Sequence, residues 1–352
     1  MAVTDGGARS PRGRPRARRV TTEVRPREPG PPTPSDRTRA PTGQRPTGSA
    51  PSPADPAASH PTASPARPPR PLIGAHAPTA GGLAKAALPY LDATDATAVQ
   101  VFVSNPRGWA LSAGDPAQDE AFLAAVTERA TPVFVHASLL VNLGSPTPAT
   151  VAHSIATLRH GLQRGAAIGA RGVVFHAGSA VDEAHVATAL GQIRQALLPL
   201  LDAAAEAGGP KLLVEPSAGG GRSLAARVEE LADYFEAVDG HPWLGVCLDT
   251  CHAWAAGHDV ARPGGMTAMI DALVATVGAD RLALVHANDS RDPCGSRRDR
   301  HENIGAGALG EAAFAELLAH PLLASVPVVV ETPTTGPTGH AADIATLRRL
   351  AP

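Results

Sequence analysis

Short apolar runs recur along the chain from residue 71 onward, and seven of the eight end on a histidine or an acid. The runs are apolar throughout rather than alternating, which is typical of strands buried on both faces of a parallel sheet. The runs lie at 71–76, 98–103, 132–136, 172–176, 211–215, 245–249, 282–286 and 326–331. The polar residues that end seven of them are His76, His136, His176, Glu215, Asp249, His286 and Glu331. This pattern predicts a parallel sheet with metal-type ligands gathered along one edge.

Segments rich in Ala and Leu, with the period of an α-helix, separate these runs. The predicted helices lie at 81–91, 118–129, 149–164, 183–206, 223–238, 266–277 and 310–318. Eight strands alternating with helices over about 280 residues predict an α/β protein, a (β/α)8 TIM barrel. The alternative is an open, doubly wound sheet, but no glycine-rich phosphate motif follows the first strand. The GGGRS segment after Glu215 is a weak signal and reads as a loop.

Composition divides the chain near residue 70. Residues 1–70 contain 13 Arg, no Lys and 5 acidic residues, a formal charge of +8, with almost no large apolar side chains. Such a segment buries too little apolar surface to offset its ordering entropy, so we expect a disordered extension. It is either a basic arm that attracts a polyanion or a dispensable segment, and it suits a transit peptide less well because its prolines oppose a helix. Residues 71–352 carry a charge of −10 and form the predicted TIM-barrel domain.

The chain shows no apolar segment of the kind found in signal peptides, and no run long enough to span a membrane. The three cysteines, Cys247, Cys251 and Cys294, do not make a disulfide framework. We therefore expect a cytoplasmic protein. Cys247 lies inside an apolar run, so a structural role is expected for it rather than metal binding.

Nine residues at or just beyond the strand ends are candidate metal ligands. They are His136, His176, Glu215, Asp249, His252, His286, Asp299, His301 and Glu331, with His76 as a tenth candidate. In a TIM barrel the carboxyl ends of all strands meet on one rim, so these side chains can reach a shared cavity. Nine ligands are too many for one cation and suit a cluster of two or three. Imidazole and carboxylate without thiolate favour Zn²⁺, with Mn²⁺ or Fe²⁺ as alternatives.

Three divalent cations against four carboxylates would leave the cavity with a charge of about +2, which favours an anionic substrate. Metal ions a few Å apart typically promote in-line displacement at phosphorus. The constellation therefore predicts phosphoester chemistry.

Several motifs resemble the endonuclease IV family, the zinc-dependent apurinic/apyrimidinic (AP) endonucleases of base-excision DNA repair. The resemblance covers 71–352 and none of 1–70. The matching segments are GAHAPTAGGL at 74–83, VNLGSP at 141–146, FHAGS at 175–179, GVCLDTCHAWAAGHD at 245–259, HANDS at 286–290, GSRRDRHENIGAGALG at 295–310 and VVVETP at 328–333. The DTCHAWAAGHD and DRH–IGAG segments are the most specific of these.

The resemblance implies a xylose isomerase-like TIM barrel with three Zn²⁺ ions, with Mn²⁺ as an alternative in part of the site. His136, His176 and Glu215 would hold the first ion, and His252, Asp299 and His301 the third. The second would share Glu215 and add Asp249, His286 and Glu331. The implied reaction is hydrolysis of the phosphodiester 5′ to an abasic site in double-stranded DNA, which leaves a 3′-hydroxyl and a 5′-deoxyribose phosphate. Trimming of blocked 3′ ends is implied as a second activity.

The resemblance also assigns roles to individual residues. Glu331, Glu215 and Asp249 are the expected catalytic carboxylates, and Glu331 is placed to orient or deprotonate the attacking water. A DNA-contacting loop follows the second strand, here SNPRGW, with Arg107 as the expected wedge. The other expected DNA contacts are Asn105, Trp109, Leu139 and His76.

The chain departs from the family's usual residues near the DNA but not at the ligands. Leu139 replaces a usual Tyr, Pro216 a usual Asn, and Pro106 and Gly108 stand where longer polar side chains are usual. These changes bear on affinity and lesion preference rather than on chemistry.

Two alternatives remain open at this point. A xylose isomerase-like sugar isomerase or epimerase needs only Glu215, Asp249, His286 and Glu331, and leaves the other five ligands without a role. A non-catalytic lesion-binding protein would explain the altered loop but not the intact ligand set. We expect a monomer associated with the nucleoid of a bacterium, with no membrane partner.

Overall fold

Eight parallel strands close into a barrel in the computed structural model, which describes residues 71–334 and 339–352. The strands in chain order are β1 (Ile73–His76), β2 (Val99–Phe102), β3 (Val133–His136), β4 (Ala170–His176), β5 (Lys211–Glu215), β6 (Leu244–Asp249), β7 (Leu282–His286), β8 (Asp289–Ser290), β9 (His301–Glu302) and β10 (Val328–Val330). The barrel runs in the order β1-β10-β7-β6-β5-β4-β3-β2, and every pair in it is parallel. All eight predicted strands are present, and the predicted TIM barrel is confirmed.

Helices surround the barrel. They are α1 (Leu88–Thr94), α2 (Pro116–Glu128), α3 (Pro148–Ala167), α4 (Val186–Glu206), α5 (Leu231–Glu236), α6 (Thr250–Ala255), α7 (Gly265–Val277), α8 (Gly310–Ala319) and α9 (Ala341–Leu350). A π-helical turn, Leu83–Ala87, leads into α1. Among the described residues, no helix is both long enough and apolar enough to cross a bilayer.

The helices differ from the prediction in two respects. The helix predicted at 223–238 begins only with the 3-10 turn Val228–Glu230, because the residues before it bond to neighbouring loops. There the Leu224 amide donates to the Gly178 carbonyl at 3.0 Å, and Ala225 accepts from the Ser217 amide at 2.9 Å. Helices α6 and α9 were not predicted. The predicted disordered extension, residues 1–70, lies outside the described residues.

Side chains on the barrel strands alternate between two cores. Val133 and Val135 of β3 pack outward in the core shared with the helices, and Phe134 between them points into the barrel. The inner layer consists of Ala98, Phe134, Val174, Leu213, Cys247, Leu284 and Val329. Because strand side chains repeat every two residues, the residue two positions after each of these also points inward, at the carboxyl-end rim. On β3 that residue is His136.

Gly74 permits the close approach of β1 to β2. A Cβ at this position would lie 1.7 Å from the Ala98 carbonyl oxygen, a backbone atom that no side-chain rotation can move.

We expect Gly74→Ala to separate β1 from β2 and to lower the free energy of unfolding by about 3 kcal/mol. Urea unfolding followed by circular dichroism measures the change. Gly191→Ala in α4 is the matched control, since no described atom outside its own turn of helix lies within 4 Å of its added Cβ. That control should be neutral or stabilise the helix by up to about 1 kcal/mol. Equal unfolding midpoints for the two variants would contradict this account.

Candidate metal centre

The carboxyl-end rim of the barrel places an inward-facing polar side chain near the end of every strand. Six of the nine predicted ligands are among them: His136, His176, Glu215, Asp249, His286 and Glu331. Strand register aligns neighbouring ligands, since His176 pairs with Glu215 across β4 and β5, and Asp249 with His286 across β6 and β7. The structure thus brings these predicted residues together.

Glu215 lies at the centre of the group. Its side chain is 1% exposed, and its two oxygens face different histidines. Oε2 lies 3.4 Å from His136 Nε2 and 3.7 Å from His176 Nε2, and no hydrogen bond from the described residues reaches it. Oε1 lies 3.2 Å from His286 Nδ1. Glu215 is thus placed to act as a ligand together with His136 and His176 and also together with His286.

A second cluster surrounds the Nδ1 atom of His286, whose side chain is fully buried. Besides Glu215 Oε1, this nitrogen lies 3.3 Å from Glu331 Oε2 and 3.9 Å from Asp249 Oδ2. Three carboxylates and one imidazole nitrogen facing a common point form a donor set suited to a divalent cation.

A third cluster joins α6 to the loop before β9. Asp299 Oδ2 lies 3.1 Å from His252 Nε2, and Oδ1 lies 3.0 Å from His301 Nε2. His252 is buried, whereas the Asp299 side chain is 48% exposed, so this cluster opens to solvent. His301 Nε2 also lies 3.5 Å from Asp249 Oδ2, which connects the second and third clusters.

In three of the histidines, a hydrogen bond from one ring nitrogen to a backbone carbonyl determines which nitrogen faces the metal centre. His136, His252 and His301 have Nδ1 at 2.7, 3.1 and 3.2 Å from the backbone carbonyls of Ala137, Pro216 and Glu331. Since Nδ1–H donates there, Nε2 is the nitrogen that remains to bind a cation. His301 Nε2 is buried and lies 3.0 Å from Asp299 Oδ1, but the contact lacks hydrogen-bond geometry, and no other residue within 71–334 and 339–352 hydrogen-bonds to this nitrogen, which fits a metal ligand.

Gln100 favours the tautomer of His286 that carries its proton on Nε2, the opposite of the three histidines above. The sequence analysis did not single out this residue. Its Nε2 donates to Glu331 Oε1 at 2.6 Å, so its Oε1 must accept from His286 Nε2–H at 2.9 Å. The Nδ1 lone pair of His286 is therefore directed at the second cluster. Gln100 stands two residues after the inner-layer Ala98, so it occupies the rim position of β2 that the other strands fill with a ligand. A polar residue inside an apolar run was the signal for it.

Asn288 and Asp289 belong to the HANDS segment at 286–290, whose sequence predicted no role for either residue. Asn288 Nδ2 donates to Asp249 Oδ2 at 2.8 Å, and its Oδ1 accepts from the Glu331 amide at 2.8 Å. The buried Asp289 carboxylate accepts from five backbone amides, those of Ser290, Gly305, Gly307, Leu309 and Gly310. These bonds hold the loop that follows His301.

Burial and the neighbouring charges shift the pKa values of the centre in different directions. Burial lowers the pKa of His176 to about 4, so this imidazole is neutral near pH 7. Burial also lowers the pKa of His301, but the nearby Asp249 and Asp299 carboxylates reverse this and raise it to about 9. Burial raises the pKa of Glu215, and the surrounding imidazoles, His286 first, outweigh it and hold the pKa well below its usual range.

The two cysteines of β6 and α6 are poor ligands. Burial raises the pKa of Cys247 and of Cys251 to about 12, so both thiols stay protonated near neutral pH. Thiolate rather than thiol binds metals. The donors at the centre are therefore imidazole nitrogens and carboxylate oxygens.

A cavity of about 400 Å³ lies above the centre, and Arg107 and Leu139 form part of its wall. The loop carrying Arg107 is bonded to the segment carrying Leu139, since the Leu139 amide donates to the Pro106 carbonyl at 2.9 Å. Leu139 is 43% exposed, so the loop and this leucine present one surface beside the cavity.

The other three predicted DNA contacts have partners within the protein. Asn105 Oδ1 accepts from the Arg107 amide at 2.9 Å, and the Trp109 ring stacks on His153 with centroids 5.2 Å apart. His76 lies inside the site, where its Nδ1–H donates to Glu331 Oε1 at 2.9 Å.

Comparison with known proteins places this geometry in a family. A family model described as a xylose isomerase-like TIM barrel matches residues 89–350. The probable endonuclease 4 of Streptomyces coelicolor is 54% identical over 282 residues, covering 80% of this chain and 96% of that protein. The probable endonuclease 4 of Nitratidesulfovibrio vulgaris is 39% identical over 287 residues, covering 80% of this chain and 99% of that protein.

Solved structures agree with the sequence relatives. The crystal structure of endonuclease IV from Thermus thermophilus is similar with a TM-score of 0.70 and 37% identity, covering 80% of this chain and 98% of that chain. A 3-keto-D-glucoside 4-epimerase from E. coli is similar with a TM-score of 0.59 and 17% identity, covering 80% of this chain and 99% of that chain, which is a likeness in fold alone. With its barrel and its relatives taken together, the chain belongs to the endonuclease IV family of AP endonucleases.

Proposed function

We propose that this protein hydrolyses the phosphodiester 5′ to an abasic site in double-stranded DNA, leaving a 3′-hydroxyl and a 5′-deoxyribose phosphate. Trimming of blocked 3′ ends is part of the same proposal, since it is also hydrolysis of a phosphoester. The observation that carries the proposal is Glu215, which is buried between histidines on both sides, next to an open cavity that His136, His176 and Glu331 line. A phosphate group can reach this rim.

Three Zn²⁺ ions, with Mn²⁺ as an alternative in part of the site, are the proposed cofactors. The residues that would hold them fall into the three clusters: His136, His176 and Glu215; Glu215, Asp249, His286 and Glu331; and His252, Asp299 and His301. When bound, such cations supply Lewis-acid charge to phosphate oxygens and lower the pKa of coordinated water.

Glu331 is the proposed catalytic carboxylate nearest to the cavity, with its side chain 17% exposed. Its Oε1 is held by Gln100 and His76, and its Oε2 faces His286. This anchoring leaves the carboxylate in one orientation, from which it would orient the attacking water and accept its proton. Glu215 and Asp249 are both buried, and their negative charges would help to hold the cations.

The loop 104–109 and the segment at Leu139 are the proposed contacts to DNA. Arg107 is exposed beside the cavity and would enter the duplex, and Leu139 would fill part of the space left by the missing base. Asn105 and Trp109 would act mainly by shaping this loop, given their contacts to the Arg107 amide and to His153. An abasic nucleotide leaves the stack at low cost because no base pair is lost.

A monomer suffices for this chemistry, because a single chain supplies every proposed ligand. We propose a cytoplasmic, nucleoid-associated enzyme whose polyanionic partner is damaged DNA. The sugar isomerase alternative would use only the cluster around His286, and it leaves the clusters at His136 and His252 unexplained. The altered loop does not favour a non-catalytic lesion-binding protein, since the ligand clusters are complete.

Glu331→Gln tests the catalytic assignment. The amide keeps the shape of the side chain but cannot accept a proton, so kcat should fall at least about a hundredfold. Cleavage of a duplex oligonucleotide carrying one tetrahydrofuran abasic analogue is read by gel and mass spectrometry, which also identify the product ends. Circular dichroism of the variant should match that of the unmodified protein. Undiminished cleavage would remove Glu331 from the mechanism.

Arg107→Ala tests the DNA contact. Loss of this cation should raise the Kd for abasic duplex about tenfold and leave kcat at saturation little changed. Fluorescence anisotropy measures the Kd. Arg194→Ala on α4 is the matched control, because this exposed arginine is paired with Asp239 away from the cavity and should leave Kd unaltered. Equal Kd values for both variants would contradict a role for Arg107.

Metal binding to the metal-free protein should release protons at pH near 7.5. The pKa of His301 is raised to about 9 and that of His252 well above its usual value, so both carry protons that a cation must displace. The apparent Zn²⁺ affinity should therefore rise as the pH rises toward about 9. Calorimetric titration in buffers of different ionisation enthalpy counts the protons, and His301→Ala should release fewer. A binding enthalpy independent of buffer would contradict the prediction.

A further inference from the structure

Asp343 is a buried carboxylate outside the proposed ligand set. It lies in the first turn of α9 and is 4% exposed. Ile344 and Leu347 of this helix are both fully buried, so the helix that carries the carboxylate is packed firmly in the core. None of the Lys, Arg and His side chains within residues 71–334 and 339–352 forms an ion pair with it, which leaves hydrogen bonds to compensate its burial.

Its hydrogen bonds come from two different segments. Oδ1 accepts from the Ile304 amide at 2.8 Å, and Oδ2 accepts from Asn303 Nδ2 at 2.8 Å. Oδ2 also accepts from the Thr332 hydroxyl at 2.5 Å. One carboxylate therefore connects the loop after β9 with the segment after β10.

Each of these segments carries a proposed ligand within a few residues. Thr332 directly follows Glu331, and Asn303 comes two residues after His301. A further bond supports the connection, since Asn303 Nδ2 also donates to the Pro333 carbonyl at 3.0 Å. Asp343 thus adds a connection between the segments of His301 and Glu331, beside the direct bond from His301 Nδ1–H to the Glu331 carbonyl at 3.2 Å.

The cluster of His252, Asp299 and His301 depends most on such support. The other ligands stand at the ends of barrel strands, where ladder hydrogen bonds hold the backbone. Asp299 and His301 stand on the segment between β7 and α8, whose two strands, β8 and β9, are each two residues long. Loop ligands need support from outside their own segment to keep a productive geometry.

We propose that Asp343 is a positioning residue that sets the separation between the His252–Asp299–His301 cluster and the cluster around Glu331. The role rests on the proposed function, because it concerns the geometry of that metal centre. Asp343 hydrogen-bonds to none of the proposed ligand side chains in the described residues and acts through Thr332, Asn303 and Ile304.

Asp343→Asn is the primary test. In either orientation of the new amide, its NH2 group faces a donor, the Ile304 amide or Asn303 Nδ2, so one connection is lost without a change in size. Chelator competition with purified full-length protein should show the weakest-bound Zn²⁺ held about 10- to 100-fold less tightly. The kcat on abasic duplex should fall by a similar factor, with KM little changed, because the DNA-contacting loop is untouched.

Thr332→Val is the second variant, and it removes only the hydroxyl bond to Asp343. It should weaken Zn²⁺ retention in the same direction, whereas Thr332→Ser keeps the hydroxyl and should behave as the unmodified protein. This pair keeps the inference testable if Asp343→Asn does not fold.

The outcomes separate the inference from the proposed function. If the unmodified protein binds Zn²⁺ but does not cleave abasic duplex, the proposed function fails, and chelator competition still decides the role of Asp343. Variants with a lowered Tm in the metal-free form, but unchanged Zn²⁺ retention and kcat, would overturn the inference and leave Asp343 a merely structural residue.

Discussion

Closure of eight parallel strands into one barrel is the constraint on which the site depends. Parallel pairing puts every strand's carboxyl end on the same rim, and the two-residue repeat of strand side chains decides which residues face inward there. Each rim residue follows an inner-layer residue by two positions, as His136 follows Phe134 and Glu215 follows Leu213. A one-residue slip in a strand that carries a ligand would turn that ligand away from the inside of the rim.

The second requirement is electrostatic. Burying carboxylates such as Glu215 and Asp249 is costly unless charge or hydrogen bonds compensate them. Imidazoles supply that compensation in the metal-free protein, which is why the pKa of His252 is raised well above its usual value despite burial. Cations would replace those protons, so the same arrangement serves folding before metal binding and chemistry after it.

Loops carry the part of the site that lies beyond the strand ends, and buried carboxylates hold these loops. Asp289 gathers five backbone amides and Asp343 ties the loop after β9 to the segment after β10, so two buried carboxylates hold the part of the site that no long strand supports. The loop 104–109, proposed to contact DNA, is held differently, by Trp109 stacked on His153 and by the bond from the Leu139 amide to the Pro106 carbonyl. The ligand clusters and the loop 104–109 are therefore held by separate interactions.

The sequence by itself determined the eight strands, the barrel and the nine candidate ligands. Continuous apolar runs indicate buried parallel strands, and a His, Asp or Glu at the end of such a run lies at the rim of the barrel. The sequence also contained an indication of Gln100 that was not used, because Gln100 is a polar residue inside an apolar run. Only the tertiary structure decided the tautomers, the partners of Glu215 and the roles of Asn288, Asp289 and Asp343. Those depend on contacts between segments distant in the chain, such as Asp343 with Asn303, and local pattern carries no information about which distant segments meet.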